Sequence, residues 1–297
     1  EVLIRVRAAE ATKADVELRS FHFAVKWFLL PLRLGMGVRR PRRRVLGGYF
    51  AGEVAALGKN VTRLAVGDAV FGTTGMRFRA YGEFLSLPAD YSIVPKPANI
   101  IFADAAAVPL GGLHALHLLR LADIQQGDKV LINGAGGSIG AQGDQIARAM
   151  GAEVTAVDAG RKEEFVRSLG ADHFVDYTKD DFTSSDARYD VIFDMVPGSS
   201  YSACIKLLNP HGRYLTGNPT LSFMLRSVFT TRFTDKTVRF AFARETEEEL
   251  LALKEMIEAG EIRPIVERVY PMAQAAEAHR RVETEERLGA IVIAIGD

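Results

Sequence analysis

The chain has 297 residues, 48% of them hydrophobic and 25% charged, and its 37 basic and 37 acidic side chains give a formal net charge of zero. These values are those of a globular protein with a full core, and the length predicts two domains. They exclude a disordered tail, a collagen-like chain and a small disulfide-bonded scaffold. Since nucleic-acid and anionic-membrane binders usually carry excess positive charge, we expect no nucleic acid and no membrane as partner.

The cysteine content and the beginning of the chain point to a compartment. Cys204 is the only cysteine, which excludes disulfides within the chain and cysteine-rich zinc sites and favours a reducing, cytoplasmic location. The longest stretch without Asp, Glu, Lys or Arg, residues 105–119, is too short to span a bilayer. The chain opens at Glu1 on a strand-like run without a signal-peptide pattern, and we expect its natural start to be missing.

Residues 1–107 predict a compact β domain, because short β-branched runs alternate there with Gly/Pro turns such as Gly47-Gly48 and Pro95-Lys96-Pro97. Within this region the apolar segment 27–34 predicts a short helix that lines a ligand cleft or packs against a partner, and its bulk suggests a hydrophobic ligand. The arginines that follow, at positions 39, 40, 42, 43 and 44, are interpreted as a solvated loop, because no aromatic residues are interleaved with them.

Residues 108–262 alternate between strands and helices. The predicted strands are 130–132, 154–157, 174–175, 191–193, 214–215 and 238–242, and the predicted helices are 139–150, 162–169 and 199–208. Apolar strands that alternate with helices indicate an α/β domain with a doubly wound parallel sheet, covered on both faces. Residues 263–297 form a tail with a helix at 273–283 and a strand at 290–295, which we expect to rejoin the first domain.

A glycine-rich turn lies between the first strand and the first helix of the alternating region. It reads Gly134-Ala135-Gly136-Gly137-Ser138-Ile139-Gly140. Phosphate binding needs glycines where the backbone must approach the ligand and free N–H groups at the helix start. Alternatively, the glycines only allow a tight turn. The candidate cofactor-binding residues of this turn are Gly134, Gly137, Ser138, Ile139 and Gly140.

Asp158 follows the second predicted strand, 21 residues after Gly137. A carboxylate at this place accepts both ribose hydroxyls of NAD and repels the 2′-phosphate of NADP, so NAD(H) is favoured. Arg161 and Lys162 leave NADP(H) open, because they could hold that phosphate or could be solvated residues of a first helical turn. Asp158 and Lys162 are both candidate cofactor contacts.

Several further blocks occur in a fixed order along the whole chain. They include Glu1-Val2-Leu3-Ile4-Arg5-Val6, Leu46-Gly47-Gly48-Tyr49-Phe50-Ala51-Gly52, Val66-Gly67-Asp68-Ala69-Val70-Phe71-Gly72, Leu169-Gly170-Ala171-Asp172 and Val191-Ile192-Phe193-Asp194. With the glycine turn, these blocks resemble the medium-chain dehydrogenase/reductase superfamily, in particular its zinc-independent, quinone-oxidoreductase-like branch, which is alcohol dehydrogenase-like in fold. The resemblance implies a GroES-like β domain, a doubly wound Rossmann dinucleotide-binding domain and a cleft between them. Members of the family are homodimers or tetramers through the nucleotide domain, and we expect a homodimer here.

The resemblance also bears on zinc and on the substrate pocket. Zinc-dependent members carry a His-Glu pair where this chain has Gly48-Tyr49, and their cysteine ligands are absent, so we expect no metal site. Thr12 stands where many relatives have Asn, Tyr49 replaces an acid, Tyr81 matches a family Tyr, and His114 replaces a Thr near the nicotinamide. These four are the candidate catalytic residues, although an aromatic or a lone His in such a domain is commonly a core residue.

The remaining cofactor contacts are implied by the same resemblance. Tyr177 and the loop with Val196 and Gly198 match the adenine and ribose positions, and Gly217 with Asn218 matches the nicotinamide end. The chain therefore resembles a zinc-independent NAD(P)H-dependent oxidoreductase that transfers hydride to a small hydrophobic quinone or other α,β-unsaturated carbonyl. The alternatives are alcohol/aldehyde or enoyl-thioester redox chemistry on this fold, and a nucleotide-binding protein with little turnover.

Overall fold

The computed structural model describes residues 1–22, 29–37, 42, 44–241 and 243–296. In chain order, the strands are β1 (Val2–Ala11), β2 (Tyr49–Leu57), β3 (Ala69–Thr73), β4 (Phe84–Leu87), β5 (Ile93–Pro95), β6 (Lys129–Asn133), β7 (Glu153–Asp158), β8 (His173–Asp176), β9 (Tyr189–Asp194), β10 (Leu208–Thr216), β11 (Thr237–Phe240), β12 (Val266–Pro271) and β13 (Ala290–Ala294).

The helices are α1 (Lys13–Ser20), α2 (Leu29–Met36), α3 (Phe102–Ala106), α4 (Val108–Ala122), α5 (Ser138–Ala149), α6 (Glu163–Ser168), α7 (Tyr201–Leu207), α8 (Leu221–Phe233), α9 (Glu247–Glu258) and α10 (Ala275–Glu283). The chain divides into two compact units. Unit 1 comprises Glu1–Leu110, Glu245–Gly260 and Pro264–Asp297, and unit 2 comprises Gly111–Arg244 and Glu261–Arg263.

Unit 1 is built on a mostly antiparallel sheet in the order β12-β13-β1-β2-β3-β5, with β4 also paired to β1. Its central strand β1 alternates buried and more exposed side chains in its first half, with Val2, Ile4 and Val6 in the core. The tail strand β13 pairs antiparallel with β1, which places the last residues of the chain next to the first. These two strands hold both ends of the chain in one core.

Unit 2 is a parallel sheet in the order β11-β10-β9-β6-β7-β8. The buried apolar runs of β6, β7 and β9 form its centre, as expected for strands covered on both faces. The strand order reverses between β6 and β9, and ligands of such sheets bind where the carboxyl ends of the strands diverge at that point. The predicted parallel α/β sheet is confirmed.

Two features differ from the boundaries predicted from the sequence. Residues 245–260 group with unit 1, because α9 packs beside β5: the Asn99 Nδ2 donates to Ile257 O at 3.0 Å, and Ala98 N donates to Glu258 Oε1 at 2.9 Å. The helix predicted at 27–34 is α2, and residues 23–28 lie outside the described part of the chain.

Candidate functional site

The glycine turn of unit 2 joins β6 to α5. Gly134 has a φ of +87°, the left-handed region that favours glycine, and its N–H donates to Val157 O at 3.0 Å. Gly137 is the N-cap of α5 without a side-chain cap, and the helix begins at Ser138. The N–H groups of a first helical turn have no acceptor inside the helix. The turn therefore offers backbone donors at a helix start, as an anionic phosphate requires.

Gly140 and Gly136 keep this turn closely packed. A Cβ on Gly140 would overlap Gly134 O, and one on Gly136 would lie 2.5 Å from Lys162 Cδ. The helix start and the side chain of Lys162 can therefore approach the turn only because both positions are glycine. A turn that is packed this closely through glycines at the start of a helix is the arrangement that dinucleotide-binding domains use for the pyrophosphate.

Asp158 ends β7 with its carboxylate turned onto the glycine turn. Its Oδ2 accepts from Gly136 N at 2.7 Å, its Oδ1 accepts from Ala159 N at 2.8 Å, and Lys162 Nζ lies 3.3 Å from Oδ1. Both side chains of this ion pair are less than a tenth exposed. Lys162 is therefore not a solvated residue of the helix start, whereas Arg161 is exposed.

A second acid is buried behind this pair. Asp144 lies on α5, and neither oxygen of its carboxylate has a hydrogen-bond partner among the described residues. Burial, followed by the nearby charge of Asp158, holds the pKa of Asp144 well above its usual range. Burial without a hydrogen-bond donor therefore favours the neutral form of this carboxyl.

The other predicted cofactor residues of unit 2 follow strands of the same parallel sheet. Val196 follows β9, and its Cγ2 would lie 3.1 Å from a Cβ on Gly134. Asn218 follows β10 and donates through Nδ2 to Met195 O at 3.0 Å, while Gly217 packs against the Met195 side chain. Tyr177 follows β8, is 56% exposed, and donates its N–H to Asp158 O at 3.2 Å.

Gly198 and Ser138 are two further predicted cofactor residues in unit 2. Gly198 lies in the loop after β9 with a φ of +92°, and Ser138 is buried at the first position of α5. Ile139 follows it and is half-buried. The structure thus groups the turn residues, Asp158, Lys162 and Val196 closely, and it places Tyr177 at the end of β8.

One polar network in this crevice was not predicted. Asp194 accepts from Asn133 Nδ2 at 2.9 Å, from Val196 N at 3.1 Å and from Tyr214 Oη at 2.7 Å. Burial raises the pKa of Asp194. The network fixes the loop after β9 to the end of β6. The sequence feature that could have indicated this network is a polar residue directly after each apolar strand: Asn133 follows residues 130–132, and Asp194 follows residues 191–193.

His114 lies on α4 within unit 2 and is half-buried. Three residues earlier on this helix, a Cβ on Gly111 would overlap Ser138 O, so α4 packs closely against the first turn of α5. Residues three apart on a helix share a face. His114 is therefore on the side of α4 that faces the start of α5.

In unit 1, Thr12 begins α1 through a capping box. Its hydroxyl accepts from Asp15 N at 3.2 Å, and Asp15 Oδ2 accepts from Thr12 N at 3.0 Å and from Thr12 Oγ1 at 2.7 Å. The other oxygen of Asp15 accepts from Gly47 N at 2.8 Å. Burial raises the pKa of Asp15 despite these donors. The pair ties α1 to the glycine segment before Tyr49.

Tyr81 belongs to the same buried network. Its Oη lies 3.1 Å from His279 Nε2, and the two rings meet edge to face at 5.8 Å. Burial, followed by the charge of Asp15, raises the pKa of Tyr81 well above its usual value. Burial also lowers the pKa of His279, so this imidazole is neutral at pH 7. The structure brings Thr12, Asp15 and Tyr81 together.

Tyr49, the first residue of β2, has a partner that the sequence did not reveal. Its Oη donates to Glu245 Oε1 at 2.9 Å, and burial, followed by the charge of Glu245, holds the pKa of Tyr49 well above its usual value. Glu245 has a φ of +51°, an uncommon conformation for a residue with a side chain, and its carbonyl accepts from Ser92 Oγ. The bond joins residues 196 positions apart.

The structure also bears on metal binding and on membranes. In the part of the chain that the structure describes, no three His, Cys, Asp or Glu side chains are grouped as metal ligands. Cys204 is buried in α7, and burial raises the pKa of its thiol to about 12, so it is no thiolate ligand or nucleophile at neutral pH. No helix among the described segments is long and apolar enough to cross a membrane.

Two parts of the chain match models of known protein families. Residues 1–98 match the model of the alcohol dehydrogenase GroES-like domain, and residues 169–293 match the model of zinc-binding dehydrogenases. The predicted fold class, a Rossmann-type parallel sheet with a GroES-like domain, is thereby confirmed. The quinone oxidoreductase structure from Coxiella burnetii is 28% identical with a TM-score of 0.86, covering 99% of this chain and 90% of that one.

Among curated proteins, the chloroplastic NADPH-dependent alkenal/one oxidoreductase of Arabidopsis thaliana is 30% identical over 99% of this chain and 72% of its own length. The spectinabilin polyketide synthase system protein NorB of Streptomyces orinoci is 32% identical over 84% of this chain. The chain spans only 12% of NorB.

Proposed function

Because this chain belongs to the medium-chain dehydrogenase/reductase superfamily, we propose that it is a zinc-independent NAD(P)H-dependent oxidoreductase that delivers hydride to quinones or other α,β-unsaturated carbonyls. The observation that supports this proposal best is the glycine turn between β6 and α5 with Asp158 bound to Gly136 N. Similarity to the alkenal/one oxidoreductase and to the quinone oxidoreductase structure favours the acceptor class.

The residues of the turn would bind the cofactor through its pyrophosphate. Backbone N–H groups at the start of α5 would bind the phosphates, and the Asp158 carboxylate would accept the ribose hydroxyls. The nicotinamide, when bound, supplies the hydride. The proposed catalytic residues are Thr12, Tyr49 and Tyr81 in unit 1 and His114 in unit 2.

Zinc independence is supported by the donor set. At the position where zinc-dependent members carry a His-Glu pair, the chain has Gly48 and Tyr49, and the Tyr49 hydroxyl is bonded to Glu245. A catalytic zinc needs three protein ligands from His, Cys or carboxylates. Without a Lewis acid, reduction of an already electrophilic enone or quinone carbon is easier than oxidation of a plain alcohol.

We propose NAD(H) as the preferred cofactor. Asp158 stands where a carboxylate binds the ribose hydroxyls and repels a 2′-phosphate. Lys162 narrows this preference, because its ammonium lies 3.3 Å from the carboxylate and offsets the charge that repels the phosphate. The balance of these two side chains sets the preference between NADH and NADPH.

We also propose a homodimer through unit 2. The strand β11 lies at the edge of the parallel sheet, and the neighbouring helix α8 exposes an apolar stripe, Leu221, Leu225, Val228, Phe229 and Phe233, each 55–74% exposed. An unpaired edge beside so large an apolar patch is typical of an interface. Phe229→Asp should lower the molar mass in light scattering from dimer to monomer.

We further propose a cytoplasmic location, because a chain with a single cysteine is typical of a reducing compartment.

A second candidate is enoyl-thioester reduction. It is favoured by the similarity to NorB, and by the CurK enoyl reductase structure at 25% identity with a TM-score of 0.85 over 99% of this chain. The two candidates share the cofactor and differ in the acceptor, so they separate only by substrate.

The test is oxidation of NADH and NADPH, in parallel, with quinones, enones, enoyl thioesters and aldehydes, in the presence and absence of a chelator. Chelator-resistant turnover with quinones or enones supports the proposal. Turnover with enoyl thioesters alone selects the second candidate. Tight nucleotide binding without turnover on any acceptor refutes both and leaves a nucleotide-binding protein.

A further inference from the structure

Asp194 is a buried acid at the end of β9, in the centre of the parallel sheet of unit 2. It is 2% exposed. Its Oδ1 accepts from Asn133 Nδ2 at 2.9 Å and from Val196 N at 3.1 Å, and its Oδ2 accepts from Tyr214 Oη at 2.7 Å. Hydrogen bonds accepted by both oxygens stabilise the ionised carboxylate. All three donors are neutral groups, so they satisfy the carboxylate without cancelling its charge.

This acid lies at the point where the strand order of the sheet reverses. It is in register with Asn133, the last residue of β6, and the glycine turn begins at the next residue, Gly134. A dinucleotide binds across such a crevice, with its pyrophosphate at the glycine turn. Asp158 ends β7 on one side of the turn, and Asp194 ends β9 on the other. Because Asp158 is the proposed contact of the adenosine ribose, the nicotinamide half belongs on the side of β9 and β10.

Asp194 also holds the loop that carries several of the predicted cofactor contacts. Val196 is bonded to it through the backbone, and the Val196 Cγ2 would lie 3.1 Å from a Cβ on Gly134. On the other side of this loop, Asn218 Nδ2 donates to Met195 O at 3.0 Å. The carboxylate is therefore bonded to a loop that contacts both the glycine turn and the segment after β10.

The two redox forms of a nicotinamide cofactor differ in the charge of the nicotinamide ring, which is positive when oxidised and neutral when reduced. A fixed negative charge in a crevice of low dielectric constant stabilises a nearby cation and leaves a neutral ring almost unaffected. We propose that the charge of Asp194 makes the crevice bind the oxidised cofactor more tightly, relative to the reduced one, than an uncharged side chain would. The inference rests on the proposed function, because it requires that the crevice binds a nicotinamide dinucleotide.

Two other acids lie near the glycine turn, and neither supplies this charge. Asp158 stands on the opposite side, and its Oδ1 lies 3.3 Å from the ammonium of Lys162. Asp144 has no hydrogen-bond donor among the described residues, which favours its neutral form. Burial also raises the pKa of Asp194, but there the donors oppose the shift. The Asp194 charge favours transfer of hydride, a proton with two electrons, from the reduced cofactor to the acceptor, as the proposed reaction requires.

The test is the affinity of the full chain for the oxidised and the reduced cofactor, measured by calorimetry at pH 8 for NAD(H) and for NADP(H). In Asp194→Asn the new amide keeps the network, because its oxygen can accept from Asn133 and Val196. The amide nitrogen can donate to Tyr214 Oη, so only the charge is lost. The ratio of Kd for the oxidised form to Kd for the reduced form should rise about three- to ten-fold. Asp194→Ser, a second uncharged variant, should change the ratio in the same direction.

Two controls separate the charge from the position of the loop. Tyr214→Phe removes one bond of the network and leaves the carboxylate, so its ratio should stay near that of the parent even where both affinities fall. Asp186→Asn removes an exposed charge elsewhere in unit 2 and should bind both forms as the parent does.

An unchanged ratio in both uncharged variants of Asp194 overturns the inference while the proposed cofactor binding stands. An equal change of the ratio in Tyr214→Phe also overturns it, because the effect would then come from the loop and not from the charge. A parent chain that binds neither redox form of either cofactor refutes the proposed function, and the inference with it.

Discussion

The ion pair between Asp158 and Lys162 predicts how cofactor preference can be changed. In Asp158→Ser the carboxylate that repels the 2′-phosphate is lost, and the buried ammonium of Lys162 is freed to attract it. At the observed 3.3 Å and an effective dielectric constant of 20, the pair is worth at most about 5 kcal/mol. A new charge-assisted hydrogen bond contributes about 1.5–3 kcal/mol net. The NADPH/NADH ratio of kcat/KM should therefore rise about 10- to 100-fold.

Lys162→Met supplies the opposite change. It leaves the carboxylate of Asp158 unopposed, so the same ratio should fall. The double variant removes both charges, and its ratio should lie near that of the parent, which makes the three proteins a closed cycle. The ratio is measured by initial rates with both cofactors on one acceptor, and equilibrium binding of each nucleotide is measured beside it. A ratio that is unchanged in both single variants would refute the proposed contact with the ribose.

Three further changes test the site. Asp144→Val should raise the free energy of unfolding at pH 7 by about 1–3 kcal/mol, because a buried carboxyl without a partner is removed. In the parent, the pKa of Asp144 is raised in the folded state, so above about pH 4 the unfolded chain has released a proton that the folded chain still holds. The free energy of unfolding of the parent should therefore fall as the pH rises above about 4. In Asp144→Val, the free energy of unfolding measured with urea should lack this contribution to its pH dependence. Glu245→Gln should lower the pH at which the Tyr49 phenol ionises, because the carboxylate charge that opposes ionisation is removed. The ionisation is measured by phenolate absorbance, with Tyr49→Phe as the reference. An unchanged titration would show that the carboxylate does not act on the phenol. Gly140→Ala should weaken nucleotide binding at least about ten-fold, because the new Cβ overlaps Gly134 O and must displace the turn. A calorimetric affinity equal to that of the parent would contradict the proposed pyrophosphate site.

The parts of the fold that the sequence predicts are those set by local pattern. The strands β6, β7 and β9 were located because their apolar residues are continuous, and the turn at Gly134 was located because glycine is needed for its φ of +87°. Asp158 was located by its distance from the turn along a βαβ unit. Each of these signals spans fewer than about 30 residues, so a linear reading contains it.

The contacts that the sequence did not predict join distant positions. Tyr49 and Glu245 are 196 residues apart, and Tyr81 and His279 are 198 residues apart, so no spacing rule links them. Lys162 was close enough to be considered, but the choice between a solvated lysine and one paired with Asp158 depends on the packing at Gly136. Only the folded chain decides between those alternatives.

The net charge of the whole chain misses local charge, because it sums over residues that lie farther apart than charges interact in salt solution. The chain is neutral in total, yet 35 consecutive residues, 18–52, carry eight positive charges and no negative one. At physiological ionic strength a partner senses charges within about 8–10 Å. Neutrality of the whole chain therefore excludes a uniformly basic protein but not a basic surface.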